Sequence, residues 1–114
     1  MFAIIAKDVT ATFSATKLTG AIEWIPATHA LTMRTPYGLS KRISTNFGPE
    51  GLNPRDDTTF IKDWSEHVGL AASLEAAGVV EIVRAVNVGP YKDRAYEVRV
   101  LVPSGARELA GVGA

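Results

Sequence analysis

The sequence predicts an α+β fold in which an antiparallel sheet of about four to six strands carries one principal helix on one face. Three observations support this prediction. Residues 74–102 pass from a helix end through Gly78 into two strands joined by a turn. Residues 2–17 are rich in Ile, Val, Thr and Phe, which favour strands, and the segments up to residue 47 alternate apolar and polar side chains. Residues 59–77 place apolar side chains at helical spacing. The expected order is a β-meander, a loop, a helix and a β-hairpin.

The first part of the chain predicts the β-meander. Residues 2–17 contain neither Gly nor Pro and indicate one long strand or two short ones, which end near Gly20. Residues 21–25 and 29–35 each alternate apolar and polar side chains, and Pro26 ends the first of these strands. These segments are expected to be neighbouring strands.

A further strand is expected over residues 39–47, where Leu39, Ile43 and Phe47 share the parity of one face. The next segment, residues 48–54, contains two Gly and two Pro. This composition predicts the principal loop of the chain.

One principal helix is predicted over residues 59–77, with Asp56, Asp57 or Thr58 capping its N-terminus. Gly69 lies inside this run and is expected to kink it or break it, since a helical Gly costs up to ~1 kcal/mol relative to Ala. The side chains expected to pack on the sheet are Phe60, Trp64, Val68 and Leu74. The indole, as the largest of them, is expected to lie in the main core.

The composition excludes several classes of function. The chain of 114 residues is 46% hydrophobic, which suffices for one domain over residues 1–103, followed by a Gly/Ala-rich tail over residues 104–114. Twelve basic and twelve acidic side chains give a net charge of zero, so no global field attracts the chain to nucleic acid or membranes. The absence of Cys excludes disulfides, thiolate catalysis and cysteine-ligated zinc. No signal peptide or membrane helix is indicated, so we expect a cytoplasmic protein.

Few residues suggest catalytic or metal chemistry. Asp63 and His67 are four residues apart on the predicted helix and could share a metal ion with Asp56 or Asp57. Because His67 falls among the apolar side chains of the predicted helix, we expect it to be a hydrogen-bonded interfacial histidine, and we expect no metal site. His29 is expected to be a solvated loop residue. Neither a nucleophile elbow nor a phosphate-binding glycine loop is present, so we expect neither an enzyme nor a cofactor.

Two basic segments with aromatic neighbours, residues 34–42 and the hairpin 84–99, provide the candidate contact sites. The contact candidates are Arg34, Tyr37, Lys41, Arg42, Tyr91, Lys92 and Arg94. Basic groups beside aromatic rings can hold a phosphate backbone and stack on bases. A solvated strand face, whose long side chains pack their stems on the sheet, gives the same pattern.

The C-terminal part of the chain carries one further pattern. A helix end, Leu74-x-x-Ala77-Gly78-Val79-Val80-Glu81, precedes a hairpin with basic residues at its tip and Arg94-x-Tyr96 in its return strand. This part of the chain resembles the C-terminal end of winged-helix DNA-binding domains. The resemblance implies a recognition helix before Gly78 and a wing at residues 87–94. The family also has two earlier helices, where this sequence predicts strands.

We therefore expect a small non-enzymatic protein that acts through protein contacts, as a regulator, an inhibitor or an assembly subunit. Exposed strand edges pair readily and a neutral chain opposes this little, so we also expect a homodimer formed by a sheet edge or the tail. The alternative is a winged-helix-like nucleic-acid-binding module that uses the 84–99 hairpin and the 34–42 basic segment.

Overall fold

Strands dominate the architecture of the chain. The computed structural model describes residues 3–64 and 67–102, apart from the side chain of residue 50, so the predicted tail over residues 104–114 lies outside the described residues. The elements in chain order are β1 (Ala3–Phe13), β2 (Thr16–Ile25), β3 (Ala30–Arg34), β4 (Ser40–Arg42), β5 (Thr58–Lys62), α1 (Leu70–Ala76), β6 (Val80–Val88) and β7 (Asp93–Val100). An α+β fold with antiparallel strands and one helix is confirmed for the described residues.

The strands are divided between two antiparallel sheets. Sheet A has the order β1-β2-β3-β4, which is the predicted meander, and sheet B has the order β5-β7-β6, which contains the predicted hairpin. An isolated bridge between Thr45 and Phe60 connects the segment after β4 to β5, with the Thr45 nitrogen 2.8 Å from the Phe60 carbonyl oxygen. The two sheets are therefore joined by backbone hydrogen bonding as well as by packing.

One main core is built from both sheets and α1. Its larger buried side chains are Ile5, Phe13, Ile22, Trp24, Leu31, Met33, Ile43, Ile61, Leu70, Leu74, Val80, Val98 and Val100. A second, smaller cluster contains other residues of sheet B and of the loop before it. Its members are Phe47, Phe60, Val88 and Ala95, with Leu52, Trp64 and Val86 partly buried against them. Sheet B is thus covered on both faces.

The predicted helix over residues 59–77 is wrong in its first part, where residues 58–62 form β5. Phe60 belongs to the second cluster and Ile61 to the main core, and both are at most 1% exposed. A strand buried on both faces shows no alternation of polarity. The remaining signal was the four-residue spacing between Phe60 and Trp64, which is also the spacing of a helical turn.

Trp64 and Val68 consequently do not lie on a buried helix face. Trp64 is partly buried in the second cluster, where its ring centroid lies 6.0 Å from that of Phe47. Val68 is 48% exposed. Leu74 packs in the main core as part of α1, which begins after Gly69. The φ of 87° at this glycine excludes a continuous helix through it, as the predicted break requires.

The first hairpin turns earlier than the sequence predicts. Ser14 and Ala15 connect β1 to β2, and both have positive φ, 46° and 62°, as a two-residue type I′ turn requires. Gly20, where the turn was expected, lies inside β2 opposite Val9. A glycine is required here by packing and not by a turn, because an added Cβ would lie 2.4 Å from the carbonyl oxygen of Arg34 in β3.

We predict that Gly20→Ala lowers the free energy of unfolding by about 1–3 kcal/mol, because the added methyl group must displace the backbone of β3. Urea denaturation followed by circular dichroism measures this change. Thr16→Ala, at an exposed position of the same strand, is the control and should change the same quantity by less than about 0.5 kcal/mol. Equal stability of the two variants would contradict the close approach of β2 and β3.

Candidate functional site

The predicted basic segment 34–42 is divided between the two faces of sheet A. Arg42 pairs with Thr32, and Arg34 is two residues from Thr32 in β3, so both arginines lie on the same face of the sheet, its outer face. Lys41 pairs with Met33 and lies on the inner face, where its Nζ is 5.9 Å from the ring centroid of Phe13. The segment therefore does not present its three cations to one ligand.

Arg34 forms an ion pair within the sheet. Its Nε donates to Oε2 of Glu23 at 3.0 Å and its Nη2 donates to Oε1 at 3.3 Å. Glu23 is 7% exposed. The hydrogen bond to this carboxylate, together with its charge, raises the pKa of Arg34 above its ordinary value. Arg34 is thereby bound to a carboxylate of its own chain, which weakens its candidacy as a contact residue.

The tip of the β6–β7 hairpin carries the other three contact candidates. Tyr91, Lys92 and Arg94 are all exposed, the tyrosine to 86%. Within the described residues, neither Lys92 nor Arg94 has an ion-pair partner, whereas Arg84 and Arg99 of the same hairpin are paired. The tip therefore offers an aromatic ring and two available cations.

The helices implied by the winged-helix resemblance are not found in the described part of the chain. There, α1 is the one α-helix, it is seven residues long, and the elements before it are strands. Leu70, Ala71 and Leu74 of α1 are buried in the main core. The hairpin after Gly78 is present, so the resemblance is limited to this wing-like element.

An exposed apolar surface, which we call the turn patch, surrounds the connection between β3 and β4. It consists of Leu18, Pro36, Tyr37 and Leu39 and lines a shallow depression of about 320 Å³. Tyr37 is 89% exposed and Leu39 is 69% exposed. Lys17 is the charged residue in the lining. The patch therefore combines an apolar surface with a single cation.

The expected burial of Leu39 is wrong, although Ile43 and Phe47 are buried as predicted. β4 begins only at Ser40, and Leu39 belongs to the turn, where its carbonyl oxygen accepts a hydrogen bond from the Thr35 nitrogen at 2.8 Å. The turn thus points this side chain away from the core.

A polar pocket of about 190 Å³, which we call the His29 pocket, lies where the β2–β3 connection meets β5 and the segment after β4. His29 and Thr28 come from the connection, Arg42, Thr45 and Asn46 from the end of β4 and beyond, and Thr59 and Phe60 from β5. The Thr45–Phe60 bridge between the sheets holds these segments together.

His29 is fixed in this pocket by β5. Its Nδ1 donates to the carbonyl oxygen of Thr58 at 2.9 Å, and its own carbonyl oxygen accepts from Oγ1 of Thr59 at 2.6 Å. Because Nδ1 is the donor, Nε2 is the ring nitrogen that remains for a ligand. His29 is therefore only partly exposed, unlike the solvated loop residue that the sequence suggests.

Arg42 is positioned by its neighbour in the chain. Its Nε donates to Oγ of Ser44 at 3.0 Å, and the same Oγ accepts from the backbone nitrogen of Leu31 at 3.0 Å. No carboxylate of the described residues pairs with Arg42. Arg42 lines the pocket, and within the described residues its two terminal nitrogens have no hydrogen-bond partner.

Glu97 is the most deeply buried ionisable side chain of the described residues, at 1% exposure. A bulge between Ile82 and Arg84 places Arg84 opposite Glu97. Nε of Arg84 donates to Oε1 at 2.6 Å, and Oγ1 of Thr58 donates to Oε2 at 2.7 Å. Burial alone raises the pKa of Glu97, but these hydrogen bonds and the charges of Arg84 and Arg55 outweigh it and hold the pKa below its ordinary value.

Asp63 and His67 have structural roles. Oδ1 of Asp63 accepts from the backbone nitrogen of Gly69 at 2.9 Å, just before α1. His67 is 4% exposed, and its ring lies edge-on to that of Phe13 with centroids 6.1 Å apart. In the described part of the chain, no group of three or more His, Asp or Glu side chains could hold a metal ion.

Among residues 3–64 and 67–102, no helix has the length and apolar character needed to cross a membrane.

Comparison with known proteins assigns no family to the chain. No family model matches it, and no curated protein or solved structure is significantly similar to it.

We predict that Glu97 makes the fold sensitive to acid. Its pKa lies below the ordinary value of 4.5 in the folded chain. The ionised carboxylate therefore stabilises the fold at pH values above the ordinary pKa, and this stabilisation is lost as the pH falls towards the folded-state pKa. Urea denaturation between neutral and acidic pH should show a shallower loss of stability in Glu97→Gln than in the natural chain.

The matched control is Glu81→Gln, which removes a carboxylate that is 55% exposed and paired with Arg99 in the same sheet. At neutral pH, Glu97→Gln should lower the free energy of unfolding by about 1–3 kcal/mol, because a buried charged hydrogen bond is lost. Glu81→Gln should lower it by no more than about 1 kcal/mol. Identical pH profiles for the two variants would contradict the assignment.

Proposed function

We propose that this chain is a small non-enzymatic protein that acts through protein contacts, and that its turn patch forms a contact between two copies of the chain. The observation that carries the proposal is the exposure of Tyr37 and Leu39, at 89% and 69%, beside the partly buried Leu18. Large apolar side chains that lie together on a surface are typical of interaction sites, and Tyr is enriched in them.

The order of the turn supports this role. The Gly38 nitrogen donates to the Thr35 carbonyl oxygen at 3.0 Å, and the Thr35 nitrogen donates to the Leu39 carbonyl oxygen at 2.8 Å. Gly38 has φ of 82°, which only a glycine adopts readily. Hydrogen bonds within the turn therefore hold the backbone that carries the two apolar side chains, which lowers the entropic cost of association.

The charges favour a second copy as the partner. The net charge of the chain is zero, so two copies approach each other without net repulsion. In a two-fold symmetric contact the same surface of each chain meets its counterpart. Tyr37 and Lys17 line the same depression, so each copy offers both an aromatic ring and a cation for a cation–π interaction across such a contact.

The state of His29 supports a role other than catalysis. A histidine that activates a hydroxyl or thiol needs a hydrogen bond to that nucleophile. Nδ1 of His29 is bonded to the backbone carbonyl of Thr58, and the hydroxyl of Thr59 donates to the His29 carbonyl oxygen and not to the ring. Among the described residues, no hydroxyl is therefore hydrogen-bonded to the ring of His29.

We predict that the double variant Tyr37→Ser/Leu39→Ser remains a monomer of about 12.2 kDa at tens of micromolar, where the natural chain has twice this mass. Sedimentation velocity or light scattering measures the mass. Tyr91→Ser is the matched control, because it removes a tyrosine that is 86% exposed at another hairpin tip, and it should leave the dimer intact.

A natural chain that stays monomeric over this range would overturn the proposed contact. Dissociation by Tyr91→Ser, with no effect of the double variant, would move the interface to the β6–β7 hairpin.

Nucleic-acid binding is a second candidate function. The observation that favours it is the exposed Tyr91 beside Lys92 and Arg94, which have no ion-pair partner within residues 3–64 and 67–102. We predict that the natural chain binds duplex DNA no more tightly than ~10⁻⁴ to 10⁻⁶ M, the range of non-specific association. Fluorescence anisotropy at two salt concentrations measures the affinity. Lys92→Glu/Arg94→Glu tests the hairpin tip, and Lys7→Glu, at an exposed position of β1, is the control.

A salt-sensitive nanomolar complex that the double charge reversal abolishes and the control retains would make nucleic-acid binding the better proposal.

A further inference from the structure

We propose that the His29 pocket binds a tetrahedral oxyanion, with a phosphate group as the ligand chemistry that fits it. This proposal is independent of the turn patch and of the contact between two copies. It depends on the donors that the pocket presents, on the absence of acidic groups among the described residues that line it, and on its size.

Arg42 supplies the charge. Its Nε is bonded to Ser44 inside the fold, and no hydrogen bond or ion pair of the described residues engages its terminal nitrogens. A guanidinium held in this way presents two donors in one plane, which matches two oxygens of a phosphate group. The bond to Ser44 also limits the side-chain entropy that the arginine loses on binding.

Asn46 and Thr45 add uncharged donors. Oδ1 of Asn46 accepts from the backbone nitrogen of Gly48 at 2.8 Å, which identifies Nδ2 as the amide atom left for a ligand. Within the described residues, the hydroxyl of Thr45 has no hydrogen-bond partner in the fold, although its backbone nitrogen forms the bridge to Phe60. Both groups can donate to an anion beside Arg42.

The lining excludes most other ligands. Its described residues include no Asp or Glu, and Arg42 is the one residue of permanent charge among them. A metal cation would meet a guanidinium and no carboxylate, which is unfavourable. The volume of about 190 Å³ is smaller than the ~300–1,000 Å³ of pockets that enclose drug-sized molecules. The pocket therefore suits a phosphate group with at most a small substituent.

Hydrogen bonds of the fold hold the walls of the pocket. The Thr59 hydroxyl holds the His29 carbonyl, Ser44 links Arg42 to the backbone of Leu31, and the Thr45 bridge fixes the distance between the two walls. Donors that the fold holds in place lose little conformational entropy when an anion binds.

The test is a titration of the full chain with inorganic phosphate, at constant ionic strength maintained with chloride, followed by backbone amide shifts in NMR spectra. We expect saturable shifts at His29, Thr45 and Asn46. Arg42→Gln should weaken phosphate binding about tenfold, the loss of one charged hydrogen-bonding group. Lys41→Gln is the matched control: it removes the same charge one residue away on the opposite face of sheet A, and should change binding less than twofold.

A second variant tests the proposal in case Arg42→Gln does not fold. Asn46→Asp keeps an oxygen to accept from the Gly48 nitrogen but introduces a negative charge into the pocket, so phosphate binding should be lost while the remaining spectrum is unchanged. Shifts that do not saturate, or that persist unchanged in both Arg42→Gln and Asn46→Asp, would overturn the proposal.

Parallel titrations with methyl phosphate and sulfate distinguish the source of the group. Methyl phosphate that binds at least as well as inorganic phosphate would indicate a small phosphomonoester as the ligand. Binding of the two inorganic anions with exclusion of the ester would indicate the free ion. Either result supports an oxyanion site.

Discussion

β5 is the element on which the rest of the structure depends, because it makes contacts with both sheets. The carbonyl oxygen of Phe60 accepts a hydrogen bond from the Thr45 nitrogen, in the segment after β4 of sheet A. The Thr59 hydroxyl donates to the His29 carbonyl oxygen in the β2–β3 connection. The Thr58 hydroxyl donates to the carboxylate of Glu97 in β7. A buried hydroxyl without a hydrogen-bond partner destabilises the fold. Both threonines can be buried in this strand because each hydroxyl has a partner in another segment.

The sequence predicted those strands in which apolar and polar residue types alternate along the chain. The alternation of residues 94–100 identifies β7, and a glycine and a proline mark the turn before it. Burial on both faces removes the alternation in β5, so its nature could not be deduced from polarity alone. Ser14 and Ala15 were missed for a different reason, because neither is a residue type that favours positive φ. The role of Gly20 depends on the approach of β3, which is a tertiary contact.

The sequence predicts which residue types belong to the candidate sites, but not which of these residues the fold brings together. The aromatic–basic composition identified Tyr37 and Arg42, whereas the neutralisation of Arg34 by Glu23 depends on the register of β2 and β3. The opposite directions of Lys41 and Arg42 follow from strand parity once β4 is known. The His29 pocket could not be predicted from the sequence, because separate segments of the chain form it and one of them is β5, for which the sequence predicts a helix.

The turn patch and the His29 pocket share no lining residue, yet both depend on β4. This strand has three residues, all of which pair with β3. The turn that carries Tyr37 precedes its first residue, and Arg42 of the pocket is its last residue. Lys41, in the middle of β4, lies on the inner face over the ring of Phe13, which resists sliding of the strand. β4 is therefore the backbone connection between Arg42 of the pocket and Leu39 of the turn patch, and its register with β3 positions both residues.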